Sequence, residues 1–113
     1  MSQIQSLVPP AAMRVRCGWS RGQMARNRRG ERVEVSDSSA CYFDPLGSIL
    51  VTYRDDPARR AAIRDEMVSI IAQHTRRERK GVTIPAWNDA PNRQLHEVVA
   101  VLAQAELAVM RRK

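Results

Sequence analysis

The sequence predicts a small, helix-dominated α+β domain of about three to four helices with one β-hairpin. Three observations lead there. Apolar stripes with helical spacing fill the second half of the chain: Ile63, Met67, Ile70, Ile71 and His74 form one, and Leu95, Val98, Val99, Leu102, Ala105 and Val109 form another. Two Asp-Pro pairs, Asp44-Pro45 and Asp56-Pro57, mark helix starts. Aspartate caps the first turn there, and proline at the first helical position lacks only an N–H that would have no partner. One turn sequence, Asn27-Arg28-Arg29-Gly30, separates a run at 22–26 from a run at 32–35 in which charged and β-branched residues alternate.

In chain order, residues 1–9 carry Ile4, Leu7 and Val8 without a period and are expected to form a flexible arm, leaving 10–113 as one globular domain. Pro10 opens a short helix that ends at Cys17 before Gly18, and Trp19 then turns into the core. The hairpin around Asn27–Gly30 must pack its apolar face on helices, since an isolated hairpin is marginal in water. Ser36, Asp37, Ser38 and Ser39 form a loop. Pro45 to Tyr53 reads as a short buried helix, with a strand through Ile49-Leu50-Val51 as the alternative. Gly47 inside it points to close approach by another backbone. The next helix runs from Asp56-Pro57 to about Arg77, with His74 a partly buried member of its stripe, and the last spans about Arg93 to Arg111. Between them, Trp87-Asn88-Asp89-Ala90-Pro91-Asn92-Arg93 reads as a structured connector.

A chain of 113 residues supports one domain with a modest core. With only two Trp, two Tyr and one Phe, that core must be aliphatic, packed around Trp19 and Trp87. Two cysteines, Cys17 and Cys41, are too few for a disulfide framework and suit an intracellular chain with free thiols. No apolar run is long enough to span a membrane and no leader pattern opens the chain, so a cytoplasmic protein without a membrane partner is expected. The formal charge is +7. Such an excess attracts polyanions by counterion release, although the dominance of Arg over Lys also suits a GC-rich genome.

Taken together, Gly18-Trp19, Gly22, Ala25-Arg26, Gly30, Ala40-Cys41, Leu46-Gly47, Trp87-Asn88-Asp89-Ala90-Pro91 and Glu97-Val98 form a familiar spacing. Over about residues 11 to 105 the chain resembles a family of small uncharacterised domains of actinobacteria, proteobacteria and their phages. The resemblance implies a helix ending in Gly-Trp, a Gly-containing arm, a further helix, and a Trp-Asn-Asp connector before a terminal helix. It carries no activity to transfer. Three departures stand out: Pro9-Pro10 shortens the first helix, Cys17 precedes the Gly-Trp pair where the family often places a cysteine after it, and Gln94 replaces a Thr capping box. Asn92 or Asp89 is therefore expected to cap the last helix.

Catalytic chemistry finds little support. Asp89 with His96 or His74, and Cys17 as nucleophile, would make a Cys/His hydrolase, but nothing in the spacing brings these groups together. Asn88 and Asp89 suit backbone hydrogen bonding at a turn better. Two histidines and two cysteines, widely separated and without a Cys-x-x-Cys pair, do not outline a metal site. The dispersed glycines build no phosphate loop. No cofactor is expected.

The clusters Arg26, Arg28, Arg29 and Arg76, Arg77, Arg79, Lys80 are the candidate phosphate contacts. The expectation is a non-enzymatic basic binding module for nucleic acid or a nucleoprotein, set in a phage or mobile element. The rival is a protein-interaction module, either a small phage inhibitor of a host factor or a homo-oligomer subunit using the apolar face of the last helix.

Overall fold

The computed structural model describes residues 8–112. Its elements are α1 (Pro10–Cys17), β1 (Ala25–Arg26), β2 (Tyr42–Phe43), α2 (Pro45–Thr52), α3 (Pro57–Thr75), a 3₁₀ turn (Arg79–Gly81), α4 (Ile84–Asn88) and α5 (Leu95–Met110). The domain is helix-dominated and carries one antiparallel two-stranded hairpin, as expected. The expected arm lies mostly outside the described residues, but Pro9 is buried and Val8 packs against the core.

Both Asp-Pro signals start helices. Asp44 Oδ1 accepts the Gly47 N–H at 2.7 Å and Asp56 Oδ1 accepts the Arg59 N–H at 3.0 Å. Helix α3 lays Ile63, Met67, Ile70 and Ile71 against Val98, Val101, Leu102 and Ala105 of α5, and this pair forms the spine of the core. It ends at Thr75 rather than Arg77, with Arg76 in the left-handed conformation at φ 57°. His74 is exposed, not partly buried as its position on the stripe suggested. In the last turn of α3, His74 falls on the side that faces solvent.

Helix α1 lies against both α5 and α2. Its first turn is unusual, because Pro9 at the N-cap offers no side-chain acceptor. Glu106 of α5 supplies one instead: its carboxylate accepts the Ala11 N–H at 2.9 Å and the Ala12 N–H at 2.8 Å. The Tyr53 hydroxyl, just past α2, donates to the same group. Glu106 is fully buried (0% exposed), and burial raises its pKa above the usual carboxylate value against the opposing pull of these three bonds. Ser48 of α2 donates to the Ala11 carbonyl at 2.7 Å.

The hairpin differs in its partner. Asn27 builds the expected turn, its Oδ1 accepting the Arg29 and Glu31 N–H groups at 3.0 Å each, with Gly30 at φ 83°. On that side only the isolated Arg26–Arg32 bridge forms, with the Val33 N–H donating to the Ala25 carbonyl at 3.2 Å, and 34–40 leaves the strand pair. The ladder is instead β1 with β2, in the register Ala25–Phe43 and Arg26–Tyr42. Phe43 also exchanges backbone bonds with Gly18 (2.8 Å) and Ser20 (3.0 Å), so β2 is held between the Gly-Trp segment and β1. Gly47 does meet another backbone: a Cβ there would stand 2.2 Å from the Met24 carbonyl oxygen.

The expected connector after α3 is partly helical. Thr83 caps α4, which carries Trp87 and Asn88. Helix α5 is preceded by Gln94, not capped by Asn92 or Asp89. Glu97 Oε1 reaches back to the Gln94 N–H at 2.8 Å, the reciprocal half of a capping box.

Glu106→Gln should cost about 1–3 kcal/mol in urea unfolding, since its amide faces one of the two α1 N–H groups with a donor. Glu106→Ala, which orphans both N–H groups and the Tyr53 hydroxyl, should cost about 3–5 kcal/mol. Two variants as stable as the parent chain would refute the cap.

Candidate functional site

The signature residues converge on one node. Trp19 Nε1 donates to Asn88 Oδ1 at 2.8 Å. Asn88 Nδ2 donates to the Ser20 carbonyl at 3.1 Å and to Asp89 Oδ1 at 3.1 Å. Asp89 Oδ1 also accepts the Gly22 N–H at 2.8 Å. Arg21 completes the clamp by donating to the carbonyls of Asp89 and Ala90. Asn88 is fully buried, so a side chain with both donor and acceptor is required between Trp19 and the Ser20 backbone. Trp19 is half-buried rather than deeply buried, and the Arg21 guanidinium covers its ring at 5.1 Å. Trp87 is buried, and Arg93 lies over its ring at 4.2 Å while donating to its carbonyl at 2.8 Å. Pro91 is exposed in the turn that follows.

Two titratable groups flank this node. Asp89 makes the bonds just described, and Asp44, 4% exposed, feels its charge. Burial chiefly, with Asp89 adding repulsion, raises Asp44 to about 6 despite the Gly47 bond. No hydrogen bond joins a cysteine to either histidine among the described residues, and no three His, Cys, Asp or Glu side chains gather there. Cys17 and Cys41 are both exposed and free.

The candidate arginines divide into two groups. Arg26 is half-buried rather than exposed at the hairpin tip. It bonds the Gly30 carbonyl at 2.8 Å and the Arg21 carbonyl at 3.1 Å, holding the turn from inside. Arg79 pairs with Asp65 and bonds Ser69, tying the 3₁₀ turn to α3. Lys80 lies 3.5 Å from Glu78 on the surface. Arg28, Arg29, Arg76 and Arg77 are exposed and form no ion pair among the described residues. Arg28 and Arg29 line a cleft with Ser38, Ser39 and Cys41. Arg77 lines a different one, of about 160 Å³, with Thr75, Thr83, Trp87 and Arg93. The two clusters therefore open onto separate clefts.

Sequence reasoning missed Glu106, Tyr53, Arg21 and Arg93. Glu106 left a signal, as an acidic residue on the apolar face of α5 opposite a helix start without its own cap. The arginines left none, because stacking over Trp19 and Trp87 depends on the fold.

The fold and the node define a small helix-dominated α+β domain whose first third is clamped onto the Trp-Asn-Asp segment by side-chain-to-backbone bonds. The chain belongs to the family described as a family of unknown function (DUF6197), whose model matches residues 11–108. No curated protein and no solved structure matches it.

Asn88→Ala should cost about 2–4 kcal/mol, as it orphans the buried indole N–H and the Ser20 carbonyl, and should shift tryptophan emission to the red. Parent-like stability and emission would show that the node is dispensable. Asp44 has a folded value above the ordinary 3.8, so the folded domain binds its proton more tightly than the unfolded chain. This stabilisation is present in acid and is lost as pH rises through about 6. Asp44→Asn keeps a capping oxygen and removes the titration. It should flatten the decline in unfolding free energy between roughly pH 4 and 7, by about 2–3 kcal/mol. An unchanged pH profile would reject Asp44 as its source.

Proposed function

We propose that the domain is a non-enzymatic, basic binding module that contacts nucleic acid or a nucleoprotein through Arg28 and Arg29 on one surface and Arg76 and Arg77 on another. One observation carries this reading: in a chain of net charge +7, these four exposed arginines form no ion pair among the described residues. Arginine on a turn or at a helix end suits phosphate, because its planar fork makes two parallel bonds to one phosphate group. The clefts beside these residues are lined by serines and threonines, which also bond phosphate oxygens. Arg26 and Arg79 contribute field rather than contacts, as their side chains bond acceptors within the domain. Lys80, beside Glu78 on the open surface, stays free to turn toward a phosphate. The protein acts in the cytoplasm, in a phage or mobile-element setting that the family resemblance suggests. No helix among the described residues is long and apolar enough to cross a membrane.

A second reading is a protein-interaction module. Met24 and Leu50 are 45% and 37% exposed, and they share an open cleft with Leu46, Ile49, Arg60 and Arg64. A homo-oligomer or a host-protein complex would cover that surface, and sedimentation at rising concentration tests the first case.

Fluorescence anisotropy with labelled DNA and RNA between roughly 50 and 200 mM salt tests the leading reading. Affinity should fall steeply with salt. On double-stranded DNA, replacing all four arginines by Ala should lower the slope by about 0.9 for each phosphate no longer neutralised. Arg26→Ala should lower stability more than it lowers the salt slope. An absence of binding at the lowest salt, or a slope unchanged in the quadruple variant, would overturn the assignment.

A further inference from the structure

A site of different chemistry opens beside α1. One solvent-facing cleft of about 560 Å³ is lined by Met13, Cys17 and Cys41, together with Arg14, Ala40 and Phe43. Met13 and Cys17 are one helical turn apart and share a face of α1. Cys41 comes from the segment leading into β2, and the backbone fixes its place. The Gly18 carbonyl accepts the Phe43 N–H at 2.8 Å, and a Cβ on Gly18 would stand 2.1 Å from the Cys41 carbonyl oxygen. Only glycine permits that approach, which sets the residue after Cys17 directly against Cys41. Both thiols are free and exposed.

We propose that Met13, Cys17 and Cys41 form a three-sulfur site for a soft monovalent cation, Cu(I). Thiolate and thioether donors select Cu(I) by softness, and this ion accepts low coordination numbers. Structural zinc takes four ligands, usually Cys and His, whereas the cleft offers only two cysteines and no His, Asp or Glu. Binding releases the two thiol protons and involves no change of oxidation state. The resulting site, two thiolates and one Cu(I), carries one net negative charge. The Arg14 guanidinium, placed in the cleft by its bond to Thr52 at 3.0 Å and its position over Phe43 at 5.5 Å, offsets that charge. The site shares Cys41 with the cleft of Arg28 and Arg29 but does not depend on the phosphate-contact reading.

The test is an anaerobic titration of the reduced full chain with Cu(I) held by a chromophoric chelator such as bicinchoninate. The protein should withdraw one Cu(I) per chain, with a new near-ultraviolet sulfur-to-copper band. Cys17→Ser and Cys41→Ser, both at exposed positions, should stay folded by circular dichroism and lose affinity by more than about 100-fold, beyond the loss expected of a supporting hydrogen bond. Met13→Leu, which keeps the apolar volume, should lose about tenfold. Failure to withdraw Cu(I), or parent-like binding by either serine variant, would overturn the site. Unchanged affinity in Met13→Leu would remove the thioether and with it the three-sulfur assignment. Zinc held as tightly as Cu(I) would refute the selectivity.

Discussion

The buried carboxylate of Glu106 is the constraint on which the arrangement of helices rests. The first turn of any helix has N–H groups with no partner inside the helix. Here the chain enters α1 through Pro9-Pro10, which brings no capping side chain, and the N–H groups of Ala11 and Ala12 end up inside the domain. An acceptor has to come from elsewhere, and the two oxygens of Glu106 meet one N–H each. The positive end of α1 also favours an anion at that position. Since burial works against ionisation of the same group, the cap gains little net stability from its charge. What it fixes is position: α1, the end of α2 and α5 must stand where one carboxylate can reach all three.

That position propagates along the chain. With α1 set, Gly18 lies where its carbonyl can take the Phe43 N–H, and β2 is drawn alongside the Gly-Trp segment. The following residues then arrive at α4, where Asn88 and Asp89 bond Trp19, Ser20 and Gly22. The N-terminal third is thus held at one end by α5 and at the other by α4, in each case by a polar side chain satisfying backbone or indole groups. Aliphatic packing between α3 and α5 supplies the bulk of the driving force, but it is tolerant of sliding. The directional bonds at Glu106 and Asn88 are what make the arrangement unique.

Much of this fold is legible in the sequence wherever local chemistry decides it. Asp44 and Asp56 announce their helices because capping acts over three residues and proline only strengthens the signal. Gly47 announces a close backbone approach because a glycine in an apolar helix is costly without one. The strand partner is not legible. Residues 32–35 have a fair strand pattern and follow a well-made turn, yet Tyr42–Phe43 takes the ladder, because it is also paired with Gly18 and Ser20 and covered by α1. Tertiary burial outweighs local propensity there. The same reason hides α4, a single turn too short for periodicity, and makes His74 look buried although it occupies the solvent side of the last turn of α3. At the candidate site, the Trp-Asn-Asp signature stands out in the sequence, whereas the bonds that join it to Trp19, Ser20 and Gly22 depend on the fold.

The arginines show why charge read from composition says little about a binding surface. Each is a cation, but a guanidinium also has five donors and a flat face, and the fold uses both. Arg21 and Arg93 cover tryptophan rings and bond carbonyls of the Trp-Asn-Asp segment, Arg14 lies over Phe43 and bonds Thr52, and Arg26 braces its own turn. Arg79 and Arg112 are paired with Asp65 and Glu66. Such residues still add to the field that steers a polyanion at distances up to about 10 Å in 0.1 M salt. They cannot turn toward a phosphate without giving up a bond already made. On the proposed reading, direct contacts fall to exposed arginines that the fold leaves unengaged, and of the candidates Arg28 and Arg29 line one cleft and Arg77 another. A ligand that engages both must be extended or must itself present two charged surfaces, which favours a nucleic-acid strand or a nucleoprotein over a single small anion.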